Sequence, residues 1–175
     1  MTTDSPPTVG EILDLHHVLG ELRGRPMDPS LAYAMVVNAQ RTEPEHRAFQ
    51  EFLAGGPWSP TLTAYEDARR TLIEKHADRE EDGSLRLRPL AAGQLEVVVL
   101  DEEMFKLELL DLYGTWKERL LAAGKAREAA IEEIAGNVAQ VPLRRVSHRL
   151  LASLGGAVTM EQMRRLLPMI EPSEE

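Results

Sequence analysis

The stretch YEDARRTLIEKHADREEDGSLRL, residues 65–87, changes its hydrophobic period part-way along. Up to His76 the apolar residues Tyr65, Ala68, Leu72 and Ile73 recur at steps of three and four, the spacing of one helix face. After Asp82-Gly83 the step becomes two, through Leu85 and Leu87 and then Leu95, Val97 and Val99. Asp-Gly is a hairpin dipeptide because the turn it forms needs positive φ. The segment therefore predicts a helix that runs into a short antiparallel hairpin spanning about residues 84–100.

Outward from this segment the sequence reads as helix almost everywhere. Toward the N-terminus, Thr8 and Glu11 have the spacing of a capping box, and Ile12, Leu15, Leu19 and Leu22 form the stripe behind it, ended by Gly24 and Pro26. Asp28-Pro29 starts a second helix carrying Leu31, Met35, Phe49 and Phe52 on one face, with Asn38, Thr42 and Glu45 between them. Pro44 removes a helical amide, so a kink or break with Thr42 as a new cap is expected there. After the loop GGPWSPT (55–61), Ser59 and Pro60 open the helix that carries the stripe Leu62, Tyr65, Ala68, Leu72 and Ile73. Beyond the hairpin, Asp101 caps a helix expected to stop at Gly114; Thr115 and Glu118 start another, with an interruption at Gly124 and an end at Gly136. Pro142–Leu154 and Thr159–Ile170 read as a closing pair of short helices. The expectation is a mainly α, single-domain fold with a small central antiparallel β-hairpin. Its parts are a leader (1–8), a helical body (9–136), the helix pair (137–170) and a polar tail (171–175).

Composition sets the outer limits. The chain has 175 residues, enough for one well-buried core, and no cysteine, which excludes disulfides and thiol nucleophiles. No apolar run approaches the roughly 20 residues of a membrane span. The opening residues MTTDSPP lack the basic start and apolar stretch of an export signal, so a protein of the cytoplasm without membrane partners is expected. The net charge of -9 is unevenly spread. Residues 1–113 hold 11 basic and 21 acidic side chains, whereas residues 114–175 hold 9 and 8. Within the closing helix pair Arg144, Arg145, Arg149, Arg164 and Arg165 face only Glu161, a candidate patch for weak polyanion or nucleic-acid binding.

Few residues suggest chemistry. Glu43 and His46 have the Glu-x-x-His spacing of di-iron bundles, but such sites take a second copy and two further glutamates, and no second copy exists. His16 and His17 are neighbours and so point to different parts of a helix surface. His76, Asp78 and Glu80 lie in a charge run expected to be solvated. There is no Gly-x-Ser-x-Gly elbow and no phosphate-binding glycine loop, so neither an enzyme, a metal nor a cofactor is expected. Trp58, between prolines in a loop, and Leu107, Leu110 and Trp116 in the leucine-rich segment are the candidate contact residues.

The elements LAYAMVVNAQ (31–40), Tyr65, Leu72 to Lys75, Glu81 to Gly83 and MFKLELLDL (104–112) together resemble a family of small uncharacterised proteins of tailed bacteriophages. In that family, helices lead through a LIEKYG-type sequence into a DEDG turn. The resemblance covers about residues 10–112 and is most specific from LIEK to EEDG. It implies a phage or prophage protein acting in the host cytoplasm or carried in the virion, and it transfers no catalytic residue. Combined with the long leucine-rich faces, it favours a non-catalytic virion component or assembly factor of head, neck or tail, working as a homo-oligomer or with other phage proteins. The alternatives are an inhibitor of a host defence or transcription enzyme, for which a small acidic domain suits a basic groove, and a nucleic-acid-binding module built on the closing helices.

Overall fold

A computed structural model describes residues 6–89 and 94–171, with the side chains of residues 156 and 157 left aside. Residues 1–5 of the expected leader, residues 90–93 of the inter-strand linker and the tail from 172 lie outside it. The architecture is mainly helical with a two-stranded antiparallel sheet, as the periodicity predicts. In chain order the elements are α1 (Val9–Glu21), α2 (Pro29–Gly55), α3 (Ser59–His76), β1 (Leu87–Pro89), β2 (Leu95–Val97), α4 (Glu102–Gly136), a 3-10 segment (His148–Ala157), α5 (Met160–Leu166) and a last 3-10 turn (Leu167–Met169). They form two compact units, one made of Met1–Gly55 with Ala129–Glu175 and the other of Gly56–Glu128. The closing helices thus belong with the start of the chain instead of forming an end of their own.

In the first unit α1 begins as expected. The Glu11 amide donates to Thr8 Oγ1 at 3.2 Å and the Thr8 amide to Glu11 Oε2 at 2.8 Å. The stripe Ile12, Leu15, Leu19 and Leu22 is buried. It joins Leu31, Ala34 and Met35 of α2 and Val146, Leu151, Leu154, Leu166 and Met169 from the other end of the chain in one apolar cluster, apart from Ile12. Asn38 is fully buried on the same face of α2 and pairs with both backbone groups of Arg144, donating to its carbonyl at 2.9 Å and accepting from its amide at 2.7 Å.

Two expectations about α2 and the chain end are corrected here. α2 runs through Pro44 without a break. Thr42 does not cap a new helix: its hydroxyl donates back to the carbonyls of Asn38 at 2.9 Å and Ala39 at 3.2 Å, satisfying itself inside the continuing helix. Residues 142–147 are not helical. Asn38 holds the backbone of Arg144, and Val146 pairs in parallel with Ile170, its amide donating to the Met169 carbonyl at 2.9 Å, so the amides of Arg144 and Val146 are taken out of any helix ladder. Ser147 caps the 3-10 segment that follows.

The second unit has less inside it. The expected stripe of α3 occupies its predicted face, yet no residue of α3 is fully buried. Tyr65 meets Trp116 of α4 at a ring separation of 6.1 Å, and His76 meets Phe105 at 5.8 Å, so α3 and α4 face each other over a thin apolar layer. β1 and β2 pair with Leu87 opposite Val97. The turn before them is a three-residue loop, Glu81-Asp82-Gly83, closed by the Gly83 amide on Glu80 O and the Glu80 amide on Ser84 O, each 2.9 Å. Gly83 takes φ +83°, the left-handed position such loops demand. α4 starts with Asp101 accepting from the Met104 amide at 2.9 Å. It then continues for 35 residues through Gly114 and Gly124. Glycine in a helix interior costs only about 1 kcal/mol, and nothing next to either residue turns the chain away. Thr115, expected as a cap, donates to the Asp111 carbonyl at 3.0 Å inside the helix.

Candidate functional site

The candidate contact residues of the second unit separate into two groups. Leu107 and Leu110 are 63% and 66% exposed. Together with Leu121, and with Met104 at the edge, they lie on the side of α4 opposite the half-buried stripe Phe105, Leu109, Leu112 and Trp116. Trp116 is therefore part of the inner layer, with Arg119 over its ring at 5.5 Å. Trp58 is also withdrawn from the surface, being 2% exposed. Its indole fills the space where a side chain on Gly56 would stand, so the glycine is what lets the loop fold the ring inward. As a contact surface Trp58 is thus unavailable, and the exposed apolar face of α4 is carried mainly by leucines.

The charge run before the hairpin is not a shared site either; residues 79–83 are exposed as expected, whereas His76 and Asp78 are half-buried. Asp78 and Glu80 both hold Arg86, at 2.6 and 3.0 Å, while His76, with a side chain 10% exposed, turns toward Glu108 at 3.2 Å beside Lys75. Hydrogen bonds from Lys75, with the His76 ring close by, hold the Glu108 carboxyl below its ordinary range.

In the first unit the arginine patch is partly spent. Arg164 and Arg165 both bind Glu161, at 2.9 and 3.0 Å, and their hydrogen bonds lower its carboxyl to about 2. Arg144 lies over the Tyr33 ring at 4.9 Å. Arg145 and Arg149 remain on the surface. Five arginines in the sequence thus do not make five available cations.

A cluster that the sequence did not reveal lies between α1 and α2. The rings of His16 and His46 stack at 4.4 Å with 18° between their planes. His16 Nε2 is 3.5 Å from Glu43 Oε2, and Glu43 Oε1 is 3.3 Å from Arg47. One ligand atom from each of His16, Glu43 and His46 lies within 4.8 Å of the others. His16 Nδ1 is 2.9 Å from Thr42 Oγ1. Burial and the neighbouring His46 push the His16 imidazole below its ordinary pKa, against the opposing pull of Glu43. A cavity of about 790 Å³ adjoins the cluster, lined by His16 and Glu43 together with Leu19, Met27, Met35 and Ala39. His17 points elsewhere, pairing with Glu21 at 3.2 Å, as adjacency on a helix requires.

Comparison with family models, curated proteins and solved structures finds no match. The residues alone must carry any reading. Glu43 and His46 were visible as a pair from their spacing, but His16 is 27 positions before Glu43 and joins them only through the packing of α1 on α2. The usable signal was the polar line Asn38, Thr42, His46 at steps of four, continuing the apolar face of Leu31 and Met35, since buried polar side chains need a partner.

Proposed function

We propose that this chain is a non-catalytic protein of a tailed bacteriophage, a virion component or assembly factor, that works by pairing α4 with α4 of a second copy. The observation that carries the reading is the exposed face Leu107, Leu110 and Leu121 on a 35-residue helix whose own unit buries little. These leucines and Gly114 fall at steps of three, four and seven, the seam spacing of paired helices. Charge sets the orientation. Residues 102–113 of α4 carry Glu102, Glu103, Glu108 and Asp111 against Lys106, a net of -3. Residues 114–128 carry Lys117, Arg119, Lys125 and Arg127 against Glu118 and Glu128, a net of +2. Glu132 and Glu133 bring the rest of α4, up to Gly136, to a net of zero, so an antiparallel second copy keeps the two acidic starts apart, whereas a parallel one sets them together. The phage setting rests on the resemblance of the LIEK to EEDG segment.

Sedimentation equilibrium at high micromolar concentration tests the pairing: a dimer is expected, and a Leu107→Glu/Leu110→Glu variant should be monomeric with its helicity kept. A monomeric wild-type chain would refute the reading. Mass spectrometry of purified particles tests the setting, because a virion component is present in stoichiometric amount.

A further inference from the structure

We infer that His16, Glu43 and His46 bind a single divalent transition-metal ion of the Zn²⁺ type, joining α1 to α2. The hydrogen bonding of Thr42 carries the argument. Thr42 is fully buried, and its one hydroxyl proton is directed to carbonyls of its own helix, Asn38 at 2.9 Å and Ala39 at 3.2 Å. Carbonyls only accept, so toward His16 the same oxygen can only accept in turn. The 2.9 Å contact is therefore His16 Nδ1–H donating to Thr42 Oγ1. Burial and the adjoining His46 disfavour the charged ring, and in the neutral form this bond puts the proton on Nδ1 and leaves a lone pair on Nε2. Nε2 lies 3.5 Å from a carboxylate oxygen of Glu43. Two electron-pair donors with no hydrogen between them repel unless a cation stands close to both.

The second imidazole decides which cation fits. His46 stacks on His16 at 4.4 Å and completes a set of two nitrogens and one carboxylate oxygen within 4.8 Å. Imidazole with carboxylate suits Zn²⁺ and its neighbours, whereas Mg²⁺ and Ca²⁺ take oxygen ligands. Bonds of about 2.0–2.1 Å to a tetrahedral ion bring donor atoms to roughly 3.3 Å from one another with both ring planes passing through the ion, so the His46 ring must swing out of its near-parallel stack on binding. Glu43 already stands near that separation from His16, at 3.5 Å, and its half-exposed side chain, with its other oxygen on the surface residue Arg47, can follow the ion. Thr42 plays the part of an orienting group behind a metal-bound histidine, fixing the ring through its far nitrogen. Three protein donors leave a coordination position open, and His16 and Glu43 both line the adjoining cavity. A small ligand or a water would occupy that position.

The test is calorimetric titration of Zn²⁺ into the untagged full-length chain, with Co²⁺ as a spectroscopic probe. One ion per chain is expected, with the visible absorption of low-coordinate Co²⁺ and a rise in Tm on loading. His46→Ala and Glu43→Gln should each weaken binding by about tenfold or more, and Thr42→Val should do so by a comparable factor that Thr42→Ser restores. His17→Ala should leave binding unchanged. Circular dichroism checks that each variant is folded, and Glu43→Gln, on a half-exposed side chain, keeps the test decisive if a histidine variant is not. No Zn²⁺ uptake by the wild-type chain, or uptake untouched by both Glu43→Gln and His46→Ala, would overturn the site. Neither result bears on the pairing of α4, which is read from oligomeric state.

Discussion

Asn38 joins two stretches of backbone 106 positions apart through both ends of one amide. Replacing it with alanine leaves the amide and carbonyl of Arg144 without that partner, and a buried group left unpaired costs about 1–3 kcal/mol. Urea unfolding of Asn38→Ala should therefore show a loss of about 2 kcal/mol or more, and a change within about 0.5 kcal/mol would mean that water replaces the amide. Gly83 is a different case. Nothing lies within 4 Å of the position a Cβ would take, so Gly83→Val suffers only the backbone cost of φ +83°, about 1–2 kcal/mol. Gly83→Asn should lose clearly less, because asparagine tolerates that region. Glu161 offers a pH signature. Its carboxyl is lowered from 4.5 to about 2 by Arg164 and Arg165, so its contribution is present above about 4.5 and disappears as pH falls through about 2. The group is exposed, and the effect is correspondingly small. Acid unfolding of Glu161→Gln should converge with wild type toward pH 2, while above pH 4.5 wild type should be the more stable.

At the level of elements, α4 and α2 show how far local signals reach. The capping pairs at Thr8/Glu11 and Asp101 were legible and are present, because a cap depends on residues within one turn. The stops expected at Gly114, Gly124 and Pro44 are absent, because whether a helix ends at a tolerated breaker depends on what the next turn packs against. In the single chain Gly114 sits in the helix interior with open space around it, so at concentrations too low for pairing Gly114→Ala should stabilise the protein by about 0.5–1 kcal/mol. A destabilisation at pairing concentrations would place a partner surface against that glycine and would point to close packing of the α4 seam. Leu107 and Leu110, expected among the contact residues, are exposed on α4. Trp116, expected with them, belongs to the inner layer, and Trp58 folds inward because Gly56 leaves room for its ring. Those two outcomes depend on rotamers and neighbours that spacing does not encode.

Over the whole molecule the two units differ in how much they bury. The first holds the apolar cluster that ties Leu15 and Leu31 to Leu166 and Met169, and the second contains a helix with no fully buried residue. Amide hydrogen exchange should reflect this, with the amides of α1 and the first half of α2 opening only near the global unfolding free energy and those of α3 opening at lower cost. Dimer formation through α4 should raise protection in the second unit as concentration rises. Equal protection of α1 and α3 in a dilute sample would contradict the difference in burial.

By itself the sequence determined the mainly helical class, the capped starts at Thr8, Asp101 and Thr159, the positive-φ turn at Gly83 and the apolar stripe of α1, because each depends on contacts a few residues apart. It also exposed Glu43 and His46 as a pair. Only the tertiary structure decided that α2 and α4 run unbroken, that the residues after Pro142 are extended, and that the two ends of the chain share one core. It alone brought His16 to Glu43, His46 and Thr42. A stripe says which face of a helix is buried, and what it is buried against is set by the energy of closing a long loop around a particular partner, a quantity with no local signature.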